Sequence, residues 1–487
     1  MTTPATAWPL ENAVFSAAML AHRLPWADAP ARALGLDSLT REGAARGVLA
    51  HLHRSRSGRP VRLRTPFGSF LVPLGPADTA GLLAAGAASD ALAPAVRLDA
   101  AGRRHGLHPH VPFPPDAAPD VSEFAGPLAE ELERVAGARR DDHALPWEVW
   151  RPGLLRAARR VVAGGAAADD TLLSEVLLRT AAAAGTRAHD GRAAALTRRI
   201  APYLADPEPG TVAAGLARGT AAGPAGVPAA RTEGATPADG GGREKALAHA
   251  LAVVSEAAVT TALQALALTA AGVPEAAGGP AGAVALALRR FPPVEAAVHP
   301  VRARFVWEGL AVDPGTEILA APGWLREDAD AGDTPVDGGG ALRPGPPSPL
   351  CGAATGCTAT AFAARVAEEI VRFLTAAAPP VLLTPALAPD RVPLTLAPHT
   401  LLVALPAPGT SAPAAAGTAG PCSYAVLARA DADRLDGLAR DLAACAADTG
   451  WNGDETGERF RMRLLDHAQR CTRAASDVRA AARRLGD

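Results

Sequence analysis

The chain has 487 residues, 48% of them hydrophobic and 4% aromatic, and a formal net charge of −2. With no block of like charge, it carries no electrostatic footprint for nucleic acid or an anionic membrane. The length calls for two or more domains or one large fold, and the apolar share is ample for a core.

In chain order, the amino terminus "MTTPATAWPLENAVFSAAML" lacks a basic n-region and carries Glu11 early, so no signal peptide is expected. Residues 43–56 read as a helix. "GRPVRLRTPFGSFLVPL" (58–74) alternates about a Pro-Phe-Gly turn and predicts a hairpin. Residues 76–91 are helical, and 105–119 form a Pro-rich loop. Helices follow at 120–138, 147–165, 168–184 and 190–204, with Asp169 and Asp170 read as a helix N-terminus. Residues 207–242 hold Gly, Pro, Ala and Thr with almost no large apolar residue, and predict a flexible linker.

The run at 250–273 is the most apolar of helical length. Glu256, Thr260, Thr261 and Gln264 near its middle argue for a helix buried in protein, not one crossing lipid. A short helix then ends at "ALALRRFPP", "RFVWEGLAVDPGT" (304–316) reads as strand, turn, strand, and 328–348 is a loop. The segment 349–377 is a cysteine-bearing loop with its helix, and strands are expected at 380–384 and 400–405. A low-complexity stretch at 406–421 precedes two one-sided helices, striped by Leu435, Leu438, Leu442 and Cys445 and by Leu464, Ala468, Cys471, Ala475, Val478, Ala482 and Leu485. They are expected to pack on each other or on the body. The division is a body of residues 1–409 and a linker with helical extension at 410–487. This order is mainly α with small β-sheets, without βαβ repetition.

The chain has five cysteines, an odd number without disulfide-like spacing, which fits a reducing cytosol and a cytoplasmic protein. Two of them sit in "PLCGAATGC" (349–357). Structural zinc favours two to four residues between paired thiolates and a second pair elsewhere. Cys422, Cys445 and Cys471 form no such pair. A catalytic thiol needs a base nearby, for which His299 and His399 are candidates without a motif. A disulfide is disfavoured in the cytosol. A fourth reading is an axial thiolate on haem iron. The Gly-rich loop allows close approach to a flat cofactor, and Cys357 precedes a helix N-terminus that stabilises its anion.

At these residues the sequence resembles the cytochrome P-450 family of haem-thiolate monooxygenases. "PLCGAATGC" is similar to Phe-Gly-x-Gly-x-(His/Arg)-x-Cys-x-Gly. Leu350 falls at the Phe position, Gly352 and Ala353 cover the glycines, Cys357 falls on the iron ligand, and Cys351 is a small loop residue. "ALALRRFPPVEAAVHPVRARFVWEGLAVDPGTEIL" resembles the Glu-x-x-Arg helix and following strand pair, with Arg289 at the Arg position. "EAAVTTALQALALTA" resembles the central helix that crosses the haem. There Thr261 would stand beside the oxygen site and Thr260 at the position of the proton-delivering acid. "LPWEVWRPGLLRAARRVVAGGAAADDTLLSEVLL" resembles the mid-chain helices and "VRLRTPFGSFLVPL" the N-terminal β region. The resemblance covers roughly residues 40–405, and four partial motifs occur in family order.

The departures are specific. Leu286 stands at the Glu position, so Arg289 must find another acid or face solvent. Thr355 replaces a propionate partner, and Ala359 replaces the Gly after the cysteine. His299 lies where the family often has a propionate-binding Arg, followed by Arg302 and Arg304; His108 and His110 are further candidates. The resemblance implies a cytochrome P-450-like fold and haem b, weakly held or lost. It also implies an external ferredoxin or flavoprotein donor, and oxygen insertion into an apolar or natural-product small molecule. The alternative is a haem-free member acting as an auxiliary, partner-binding protein. Neither reading involves nucleic acid or a membrane.

Overall fold

The computed structural model describes residues 4–21, 39–56, 59–66, 68–93, 95–98, 104–106, 117–138, 144–145, 147–183, 186–218, 242–321, 323, 350–352, 354, 357–384, 387–389, 392–393, 395–405, 421–447 and 455–486. The loop expected at 328–348, His108, His110, Thr355 and most of the 406–421 stretch lie outside them. The chain divides into two compact units, Met1–Pro413 and Ala414–Asp487.

The first unit is mainly helical with small sheets, as expected. Helices α1 (Pro9–Ala21), α2 (Arg41–Ser55) and α3 (Pro76–Ala88) flank the hairpin β2 (Val61–Thr65) and β3 (Gly68–Val72). That hairpin belongs to a seven-stranded sheet of order β1-β2-β3-β10-β7-β4-β5, whose other strands are β1 (Ala5–Thr6), β4 (Val96–Leu98), β5 (Arg104–Gly106), β7 (Ala297–Pro300) and β10 (Glu317–Ala320). The sheet joins distant parts of the chain, Phe70 pairing in parallel with Glu317, and also nearer ones, Ile318 pairing antiparallel with His299. β8 (Phe305–Trp307) and β9 (Leu310–Val312) form the expected two-stranded turn. Trp307 packs there beside Gly81, where an added Cβ would meet the indole at 3.0 Å. β11 (Val381–Thr384) and β12 (Leu402–Ala404) pair with β6 (Ala144–Leu145).

Helices α4 (Val121–Gly137), α5 (Trp147–Ala163), α6 (Gly165–Asp169), α7 (Thr171–Ala182) and α8 (His189–Ala205) match the predicted helical order. Asp120 and Glu123 close α4 with a capping box, satisfying backbone N–H groups that the helix leaves unpaired. Asp170 caps α7 by accepting from the Leu173 amide at 3.2 Å. It also pairs with Arg199 and accepts from Tyr203 Oη at 2.8 Å. Burial and this bond push the Tyr203 hydroxyl up to about 12.

The linker expected at 207–242 is corrected at its start. Val212–Arg218 is helix α9, and Val212 through Leu216 are buried. Gly215 permits this docking, because a Cβ there would stand 2.1 Å from the Ala117 carbonyl. The small residues that suggested a linker are what lets a helix approach the main chain so closely.

The core of the unit is built on α10, a continuous helix over Gly242–Ala270. It is long and apolar enough to cross a bilayer, but 83% of its most apolar window is buried inside the protein. Its Ala-rich surface lets α11 (Gly279–Arg290) and α12 (Thr358–Ala376) pack close. Phe362 of α12 meets Phe124 of α4 edge to face, ring centres 5.3 Å apart. Over Val253–Ala258 the helix takes π geometry, so one turn holds an extra residue.

The second unit is a pair of packed helices, α13 (Pro421–Ala447) and α14 (Glu455–Gly486). On α14 the buried residues among those described are Ala468, Ala475 and Ala482, all in the expected stripe; on α13 they are Ala432, Ala439 and Ala446, while Leu438 of the expected stripe is half exposed. Alanine every seventh residue allows the helix axes to close in.

Candidate functional site

A cavity of about 640 Å³ lies against α10. Its floor is the stretch of α10 that contains the π turn: His249, Val253, Ser255, Glu256 and Thr260 all line it. α5 contributes Trp147 and Arg151, and α7 contributes Leu177 and Ala181. Pro293 and Val294, just past α11, close one side, and Leu350 and Cys351 of the cysteine loop close another. The lining is mostly apolar, with one guanidinium, one carboxylate and three hydroxyls at defined places.

One of these polar groups faces the cavity unsatisfied. Ser255 Oγ is buried and has no hydrogen-bond partner among the described residues. Arg151 makes no ion pair among the described residues. A buried hydroxyl without a partner costs about 1–3 kcal/mol, which a bound ligand can recover.

The cysteine loop turns at Gly352, whose φ of +65° is left-handed backbone that suits glycine. The turn carries Cys351 and Cys357 back toward α10. Cys351 and Cys357 are 2% and 7% exposed, and His249 is 3% exposed. His249 Nε2 stands 3.3 Å from Cys357 Sγ. The His249 nitrogen and both sulfurs all lie within 4.8 Å of one another. Cys357 also serves as the N-cap residue of α12, and its carbonyl accepts from the Thr360 amide at 3.1 Å. The two cysteines are not joined in a disulfide.

The structure brings some of the expected residues together and separates others. Leu350 and Thr260 line the cavity, and Gly352 shapes the loop beside it. Thr261 is not on the wall. It is 1% exposed behind it, and Oγ1 lacks a hydrogen-bond partner among the described residues. Cys351, read as a small loop residue, is the cysteine that lines the cavity, whereas Cys357 is turned to His249.

Arg289 is exposed on α11, while Leu286 on the same helix is buried among apolar neighbours. Of the two outcomes open to Arg289, solvent is the one realised. His299 sits in β7, 1% exposed, and is not a cavity residue. Burial holds its pKa down to about 4, so it is neutral at pH 7 and offers no cation to a carboxylate. Arg302 pairs with Asp90 and Arg304 with Asp313. His399 is exposed.

Arg151, Glu256 and His249 line the cavity and were not read as site residues from the sequence. Arg151 stands four residues after Trp147, and Glu256 four before Thr260; both spacings put two side chains on one helix face. His249 had no such signal, being a single His in an Ala-rich run.

No protein-family model matches the chain, and no curated protein matches it. Among solved structures the chain is similar to cytochrome P450 EryK from S. erythraea in its open form, at 13% identity over 76% of this chain and 98% of that one, with a TM-score of 0.47. It is similar to a mutant of P450 EryK in complex with erythromycin B, at 15% identity over 76% of this chain and 98% of that one, TM-score 0.48. It is also similar to CYP175A1 from Thermus thermophillus, at 16% identity over 78% of this chain and 98% of that one, TM-score 0.45. Likenesses this distant carry no inference about chemistry.

Proposed function

We propose that the chain is a haem-thiolate monooxygenase, with haem b in the cavity under α10 and Cys357 as its axial ligand. The observation that carries this reading is the cavity itself. It is an apolar chamber bounded by the thiol loop on one side and by a helix with a π turn on another, with a cation and an unpartnered hydroxyl on its wall. The residues fit the group in kind. Small side chains such as Ala252 and Ala257 leave room for a flat ring, Arg151 can hold one carboxylate, and the loop offers sulfur. Bound through a thiolate, haem supplies oxygen activation, because the sulfur pushes electron density toward O–O cleavage.

The protein's own residues would do the rest. Trp147, Leu177 and Val253 keep the chamber dry. Thr260 and Glu256 place a hydroxyl and a carboxylate on the same wall, one turn apart, and can pass a proton inward. Thr260 takes the role first expected of Thr261. To reach iron, Cys357 must give up its contact with His249. An apolar or natural-product substrate would share the chamber, and electrons would come from a separate ferredoxin or flavoprotein.

The test is spectroscopic. Full-length protein loaded with hemin, then reduced under carbon monoxide, is expected to show the red-shifted Soret band of thiolate-ligated haem, and Cys357→Ala to lose it. A folded protein that takes up no hemin overturns the reading. A second reading, a haem-free auxiliary protein, is supported by the His249–Cys357 contact and by the solvent-facing Arg289. It predicts that silent outcome.

A further inference from the structure

We infer that His249, Cys351 and Cys357 form a binding site for a thiophilic divalent metal ion, zinc being the natural occupant, in the chain without haem. This inference stands on the donor cluster alone and does not rest on the haem reading.

The donor spacing suits a tetrahedral site. Zinc binds imidazole nitrogen at about 2.0–2.1 Å and thiolate sulfur at about 2.3 Å, which places the two donors of a tetrahedron roughly 3.5 Å apart. His249 Nε2 and Cys357 Sγ are 3.3 Å apart, and Cys351 Sγ lies within 4.8 Å of both. All three residues are buried. The cysteine spacing that argued against zinc in the sequence matters less here. The third donor comes from α10, 108 positions before Cys357, and the turn at Gly352 brings Cys351 back to the same point.

The donor set selects the ion. Two thiolates and one imidazole suit zinc, cadmium or cobalt(II), and are a poor match for magnesium or calcium, which take oxygen ligands. His249 and Cys351 both line the cavity, so the metal would sit at its wall. Three protein ligands leave the fourth position to a water or to a molecule in the chamber, the arrangement that separates open zinc sites from closed structural ones. Binding displaces the two thiol protons, so metal affinity rises with pH. Zinc and haem compete for the same sulfur of Cys357.

Cobalt(II) is the probe. Full-length protein is stripped with chelator, kept under a non-coordinating phosphine reductant and titrated with cobalt(II). One equivalent is expected to produce the intense visible bands of tetrahedral cobalt with thiolate-to-metal charge transfer, and zinc to bleach them. His249→Ala and Cys351→Ala are each expected to weaken binding at least about 100-fold, since losing even a hydrogen-bond partner of a ligand costs about 10–100-fold. His249→Cys, which keeps a donor, is expected to restore the bands with added charge-transfer intensity.

Absence of tetrahedral bands in the unaltered protein overturns the site. So do bands that survive both alanine variants, or that vanish only in Cys445→Ala or Cys471→Ala, which would put the metal on the C-terminal helices. The two readings fail separately. His249→Ala is expected to lose cobalt and keep the carbon monoxide Soret band, while Cys357→Ala loses both.

Discussion

The body and the C-terminal helix pair bury apolar surface in opposite ways. In the body, large side chains from distant parts of the chain interlock: Trp150, Phe124 and Phe362 are each no more than 1% exposed. In the helix pair the seam is alanine at every seventh position, and Arg479 pairs with Asp433 and Asp436 across its solvent side. The first design is vulnerable to truncation, which opens a void. The second is vulnerable to enlargement, which forces the helices apart.

The largest test of this contrast is Phe362→Ala. Removing a fully buried ring that packs edge to face with Phe124 is expected to destabilise the body by about 3–5 kcal/mol, read from guanidinium unfolding. A loss below about 1 kcal/mol would mean the body tolerates voids as the helix pair does.

Next comes acid sensitivity. His299 is buried and its pKa is about 4, whereas the unfolded chain protonates it near the ordinary histidine value of 6.5. The unfolded state therefore binds more protons between those values. Full stability is present above pH 6.5 and drains away as pH falls toward 4, by on the order of 3 kcal/mol. His299→Leu is expected to flatten that part of the stability–pH profile. An unchanged slope would show that other groups set it.

The smallest effect is expected in the helix pair. Ala475→Leu should overpack the seam at a cost of about 1–3 kcal/mol. Faster amide exchange confined to 421–447 and 455–486 would register it, and unchanged exchange would show that the seam has slack.

Much of the fold was legible because its signals are local. The capping box at Asp120 and Glu123, the Asp170 cap and the turn between β2 and β3 each act within a few residues, and those elements lie where expected. The seven-stranded sheet was not legible, since pairing β3 with β10 depends on contacts across most of the chain. The α14 half of the alanine seam, Ala468, Ala475 and Ala482, was legible in the stripe; the α13 half was not, because hydrophobic periodicity ranks leucine above alanine, while packing distance reverses that order. At the site, the loop cysteines were visible and their company was not. His249 has no motif around it, and only the fold carries it to the sulfurs. That Thr260 lies on the wall and Thr261 behind it was not legible, because the sequence holds no sign of the π turn.

That turn has a consequence for the chamber. A wider loop of backbone hydrogen bonding accommodates one more residue before the helix resumes its ordinary pitch. Were the same residues wound regularly from Gly242 onward, each later one would arrive a place further along. Val259 would then occupy the spot now held by Thr260, and the hydroxyl would leave the wall. A phase slip in the main chain thus decides whether that point of the wall carries a hydroxyl.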